Sequence, residues 1–293
     1  MLKGSLVALV TPFNSDGSVN YETLGELIEY HIDALSDGLV VLGTTGEAST
    51  MTFEEECEIV KYCVKKVNKR IPLIIGAGSN DTLYASKNAY EFSRLGADYL
   101  LVVTPYYNKT NEEGLIKHFE MIADASSCPI ILYNVPSRTG MNIPISVIEK
   151  LSKNEKIIGI KEASGNMSYA MMVSEYVNDK FLMFSGNDDL IVPYMSIGSS
   201  GVISVLANIA PTQTHNICKL CLEGNFFEAY NIAKYLLDVT NGLFIETNPI
   251  PVKEAMNYLG FNVGGYRMPL YSMSNSNKEK LIKILESKKD VIY

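Results

Sequence analysis

Lys161 is the residue from which a chemistry can be read in this sequence. It ends the run Ile157-Ile158-Gly159-Ile160-Lys161, and Glu162-Ala163-Ser164-Gly165 follows. A short apolar run rich in Ile is the pattern of a buried strand, and Ser-Gly marks the turn after it. Alternation along a strand predicts that Lys161 shares a face with Ile157 and Gly159. Desolvation at the mouth of an apolar strand disfavours an ammonium. A neutral lysine amine attacks a carbonyl to form a Schiff base. Alone, the stretch is more simply an ordinary strand-end lysine reaching water.

Other strand-like runs end on polar groups of matching character. Gly43-Thr44-Thr45-Gly46-Glu47 offers hydroxyl donors and two glycines that let backbone N–H groups approach a small carboxylate. Thr104-Pro105-Tyr106-Tyr107 and Tyr133-Asn134-Val135-Pro136-Ser137-Arg138-Thr139-Gly140 end two further runs. Ser185-Gly186-Asn187-Asp188 and the region of Ile203 end the last two. A tyrosine from a strand adjacent to that of Lys161, as Tyr133 is predicted to be, suits a proton shuttle at a nascent imine. Taken singly, each piece is an ordinary turn or a packing tyrosine. Gathered around one lysine, they describe a site.

The elements that must gather them are legible. Eight short runs rich in Val, Ile and Leu begin near Ser5, Gly38, Pro72, Asp98, Pro129, Ile157, Phe181 and Gly201. Nearly continuous apolar runs of this length fit strands covered on both faces. Charged amphipathic segments lie between them, over Tyr21 to Leu35, Phe53 to Lys69, Leu83 to Leu95 and Glu112 to Ala125. Thr52, Asp81 and Asn111 stand where N-caps belong. Eight such units predict a (β/α)8 TIM barrel, whose strand C-termini converge on one catalytic face. A doubly wound dinucleotide-binding sheet would want Gly-x-Gly-x-x-Gly after the first strand, where Thr11-Pro12-Phe13 stands instead. Helical patterns at Phe226 to Leu237, Val252 to Leu259 and Lys278 to Ser287 predict an appended bundle. The expected division is a catalytic barrel over 1–210 and a C-terminal helical extension over 211–293.

Composition excludes other classes. With 25 Lys plus Arg against 33 Asp plus Glu, the net charge of −8 argues against a nucleic-acid or anionic-membrane surface. No apolar run approaches the ~18 residues of a membrane span. Ser5 to Val10 is too short for a signal h-region, so a cytoplasmic protein is expected. Five cysteines, an odd number, fit reduced thiols there. His215-Asn216-Ile217-Cys218-Lys219-Leu220-Cys221 has metal-ligand spacing on paper. On a helix, however, His215 and Cys221 would point about 120° apart, so packing is the better reading.

Gly43-Thr44-Thr45-Gly46-Glu47, Tyr106-Tyr107, the Tyr133 to Gly140 segment and Lys161 to Gly165 resemble the signatures of the pyruvate-dependent class I aldolases. That family includes the dihydrodipicolinate synthases and the N-acetylneuraminate lyases, and the similarity spans essentially the whole chain. The resemblance implies that Lys161 forms an imine with pyruvate, whose carboxylate sits on Thr44, Thr45 and nearby backbone amides. It implies a proton relay of Tyr133, Thr44 and Tyr107, the last entering from a neighbouring subunit. Backbone groups near Gly186 and Ile203 would line the pyruvate site, and no metal or organic cofactor is implied. Arg138 matches the synthase branch, where a guanidinium reads the α-carboxylate of L-aspartate 4-semialdehyde. N-acetylneuraminate lyase, or another pyruvate-dependent 2-keto acid aldolase, is the alternative. A non-catalytic ligand-binding barrel would be expected to lack the lysine or a tyrosine. The resemblance further implies a homo-oligomer, a tetramer built as a dimer of dimers. In lysine-inhibited members, histidines match Phe53 and Glu56, and a glutamate matches Tyr84. The departure here implies weak or absent inhibition by L-lysine.

Overall fold

Eight parallel strands close on themselves in sequence order, each paired with its neighbours and β8 paired back to β1. The computed structural model describes residues 2–292. The strands are β1 (Gly4–Ala8), β2 (Gly38–Val41), β3 (Leu73–Gly76), β4 (Tyr99–Val103), β5 (Ile130–Asn134), β6 (Ile157–Glu162), β7 (Leu182–Ser185) and β8 (Gly201–Ser204). Helices between them form the outer ring of a (β/α)8 barrel.

Strand alternation sorts the side chains into two layers. Leu6, Val40, Ile74, Ile131, Phe184 and Ile203 pack with Tyr133 in the barrel interior. Val7, Leu39, Ile75, Leu132, Ile160 and Met183 pack outward under the helices. Both faces are therefore dry, which is why these strands read as unbroken apolar runs.

One residue departs from simple alternation. Along the β5–β6 seam, Ile130 pairs with Ile157 but Ile131 pairs with Gly159, which leaves Ile158 as an extra residue. Ile157 consequently joins the outer layer while Ile158 packs toward the interior cluster. Lys161 thus shares its face with Gly159 but not with Ile157, a correction to the expected alternation. A bulge cannot be read from a run of like apolar residues.

The helix starts follow their caps. Thr52 and Glu55 form a reciprocal capping box at the head of Phe53–Val67. Asp81 accepts from Leu83 N, and Asn111 from Gly114 N, at the heads of Thr82–Leu95 and Glu112–Ala125.

After β8 the regular elements among the described residues are helices. Pro211–Leu222 lies against β1 and closes the outer ring. Phe226–Tyr235, Leu237–Gly242, Ile250–Tyr258 and Asn275–Glu286 follow as the extension. The segment joining two of these helices reaches the mouth of the barrel.

Candidate active site

The C-terminal ends of β5 and β6 set the centre of the site. Tyr133 and Lys161 are register partners on these neighbouring strands. Lys161 Nζ lies 4.4 Å from the centroid of the Tyr133 ring. Lys161 is 7% exposed and Tyr133 8%, so amine and phenol meet in a nearly dry setting. Lys161 has no carboxylate partner within 4.0 Å among the described residues. An amine so placed is held by packing and by the electron-rich ring face, not by an ion pair that a reaction would have to break.

Gly186, at the end of β7, leaves room for that amine. A Cβ there would come 2.5 Å from Ala163 Cβ and 3.1 Å from Lys161 Cε. Ile203 is fully buried in the interior layer on β8 and sets the apolar floor. Asp188 is buried behind the end of β7, and accepts from the Ser204 hydroxyl at 2.5 Å and from the Val205 and Leu206 amides at 2.9 and 3.0 Å. Burial pushes its carboxyl up, while these donors and the positive Lys161 pull the other way. Glu162 faces away from the barrel and accepts from Asn134 Nδ2 at 2.6 Å and Ser164 N at 2.7 Å. Its burial likewise raises its carboxyl above the ordinary range. This pair locks the ends of β5 and β6 together, and with them the Tyr133–Lys161 register.

The loop after β2 forms a tight turn. Gly46 N and Glu47 N bond back to the carbonyls of Gly43 and Thr44. Among the described residues, the Thr44 and Thr45 amides find no acceptor in the protein, and neither does the Thr44 hydroxyl. Those free donors suit a small carboxylate. Thr44 is exposed to the cavity, whereas Thr45 is buried and its hydroxyl accepts from Asn248 Nδ2 at 2.9 Å.

A cavity of about 400 Å³ opens over this face. Gly43, Thr44, Tyr133 and Arg138 line it, together with Ser49, Glu56 and Tyr84. Arg138 sits in the short helix Pro136–Thr139 and donates through Nη2 to the carbonyl of Asn248 at 2.9 Å. One of its five donors is spent there, and the rest of the fork remains for a ligand.

The structure thus brings Thr44, Thr45, Tyr133, Arg138, Lys161, Gly186 and Ile203 to one end of the barrel. Tyr107, in the loop after β4, does not line the cavity. That ring is 91% exposed on a backbone with φ +69°, pointing away from the chain that carries it. One residue of the candidate site carries no signal in the sequence. Asn248 reaches Thr45 and Arg138 from the extension, and Asn-Pro-Ile-Pro signals only a loop in sequence. Glu56 lines the cavity with its carboxyl pushed up to about 7, chiefly by burial. It is the residue that the resemblance matches to a histidine of lysine-inhibited members, and it does face the cavity.

Fold and site together define a class: a (β/α)8 barrel with a buried lysine at the C-terminal end of its sixth strand, an arrangement suited to Schiff-base chemistry. The chain belongs to the dihydrodipicolinate synthetase family, whose model matches residues 1–288. It is 51% identical over 277 residues to a 4-hydroxy-tetrahydrodipicolinate synthase of Clostridium perfringens, covering 94% of this chain and 95% of that one. The corresponding enzyme of Clostridium novyi is 50% identical over 287 residues, covering 98% and 97%. The crystal structure of dihydrodipicolinate synthase from Aquifex aeolicus superposes with a TM-score of 0.96 at 42% identity, covering 99% of each chain.

Proposed function

We propose that this chain is a lyase that condenses pyruvate with L-aspartate 4-semialdehyde to give 4-hydroxy-tetrahydrodipicolinate, in the route to diaminopimelate and lysine. The observation that carries the reading is the nearly dry contact of Lys161 with Tyr133, beside a loop of unspent donors. The Lys161 amine attacks the pyruvate C2 carbonyl, and loss of water leaves an imine. The pyruvate carboxylate rests on the Thr44 and Thr45 amides and hydroxyls. Removal of a C3 proton gives the enamine, whose C3 attacks the aldehyde carbon while the aldehyde oxygen takes up a proton. Tyr133 carries these protons, with Thr44 and Tyr107 completing the relay. The α-amine of the joined substrate then displaces Lys161 from the imine carbon, closing the ring and freeing the enzyme.

Arg138 at the cavity mouth reads the α-carboxylate of the aldehyde, a need that a sugar-cleaving lyase does not share. Tyr107 supports a homo-oligomer, since a bulky ring held outward at φ +69° and 91% exposure has a use in another chain's site. A Tyr107→Phe chain mixed with a Lys161→Ala chain should then regain activity that neither homo-oligomer has. The negative surface and the biosynthetic role support a cytoplasmic location.

Borohydride reduction with labelled pyruvate, followed by peptide mapping, tests the reading. A stable adduct is expected on the peptide carrying Lys161. An adduct that persists in Lys161→Ala, or none in the unmodified enzyme, would overturn it.

A further inference from the structure

We propose that Asn248 is a positioning residue that aims the Thr45 hydroxyl at the pyruvate carboxylate and fixes that loop relative to Arg138. The inference rests on the aldolase reading above. Asn248 belongs to the extension, between the helices Leu237–Gly242 and Ile250–Tyr258, and is only 6% exposed. Its side-chain amide donates to Thr45 Oγ1 at 2.9 Å, while its main-chain carbonyl accepts from Arg138 Nη2 at 2.9 Å. One residue from outside the barrel therefore touches both groups that meet substrate carboxylates.

The polarity of the first contact is what matters. A hydroxyl has one proton to give and lone pairs to receive. With a lone pair of Thr45 taken by the Asn248 N–H, its proton is directed elsewhere, and among the described residues no protein group accepts it. A carboxylate bound over the loop supplies that acceptor, and the donor behind the hydroxyl strengthens the bond in front of it. The opposite orientation of the amide would take the Thr45 proton on its oxygen and leave none for a ligand. In the observed orientation the Asn248 oxygen is buried with no partner among the described residues.

Asn248→Asp is nearly isosteric and offers only acceptors when ionised, so it imposes the opposite polarity. Pyruvate half-saturation, measured by borohydride trapping on Lys161 without the aldehyde, is expected to rise roughly tenfold or more in Asn248→Asp and by less in Asn248→Ala. Thr45→Val should mask the effect, so that Thr45→Val with Asn248→Ala is no worse than Thr45→Val alone. Thermal midpoints taken alongside separate misfolding from misorientation, and Asn248→Ala with the double-variant cycle decides the case if Asn248→Asp does not fold. An unchanged pyruvate half-saturation in a folded Asn248→Asp enzyme, or additive losses in the cycle, would overturn the role of Asn248 and leave the aldolase reading standing. An unmodified enzyme that traps no pyruvate would overturn both.

Discussion

Lys253 Nζ lies 2.8 Å from Glu47 Oε1, and both side chains are wholly withdrawn from solvent. The pair ties the extension to the loop after β2, since Glu47 directly follows Gly43-Thr44-Thr45-Gly46. The other Glu47 oxygen accepts from the Arg267 amide at 3.0 Å, and Lys253 also donates to the Thr11 carbonyl at 3.0 Å. Burial pushes the Lys253 ammonium down, against the pull of Glu47 upward. The loop that carries Thr44 and Thr45 is therefore held from behind by the C-terminal extension.

Breaking such a pair costs more than removing it. Lys253→Met alone should destabilise the fold by about 3–5 kcal/mol, because Glu47 is left as a buried charge with no cationic partner. Lys253→Met combined with Glu47→Leu should recover most of that loss, though with the loop less firmly held. Urea unfolding of the three proteins measures this. A single variant costing under about 1 kcal/mol would show that the pair is not the anchor described.

Tyr133→Phe separates chemistry from packing. The ring would still fill the barrel interior and still face Lys161. The unfolding midpoint should stay near that of the parent, while kcat falls by roughly 10²–10⁴. Near-normal turnover with a large loss of stability would return Tyr133 to the role of core filler.

How much of this could be read from the chain depends on the range of each contact. β2, β6 and β8 begin where the apolar runs begin, and Thr52, Asp81 and Asn111 cap as their types predict. Those are local signals. The strand ends also named most of the site, because a closed barrel gathers its strand C-termini whatever the loops do. The hidden parts are long-range. Asn248 and Thr45 are 203 positions apart, and Glu47 and Lys253 are 206 apart, so no spacing rule links them. The extra residue at Ile158 was masked by the sameness of its neighbours.

Arg138→Ala should raise the apparent KM for L-aspartate 4-semialdehyde by roughly tenfold or more, and that for pyruvate far less. The guanidinium lines the cavity and spends one donor on Asn248, which holds the fork in place for a carboxylate. Arg138→Lys should rescue only partly, since a point charge lacks the planar fork. Steady-state kinetics in both substrates decides it. Equal loss of pyruvate imine formation would show that Arg138 serves the first substrate instead.

Glu56 carries a pH dependence whose sign follows from its setting. Burial holds its carboxyl up at about 7 against an ordinary 4.5, partly opposed by the Tyr84 hydroxyl 3.5 Å away. The folded state therefore keeps this proton more tightly than the unfolded chain. Its stabilisation is complete below about pH 4.5 and is lost as pH rises through about 7. Glu56→Gln should flatten that slope in urea midpoints taken at pH 5 and 8. The same carboxyl lines the cavity with Ser49 and Tyr84, where an ammonium ligand would require its charged form. Inhibition by L-lysine should accordingly be weak at and below neutrality and should strengthen toward pH 8.5. Initial rates at sub-saturating pyruvate, with and without lysine at both pH values, measure it. Strong sub-millimolar inhibition that is the same at both, or that survives Glu56→Gln, would show that another group receives the cation.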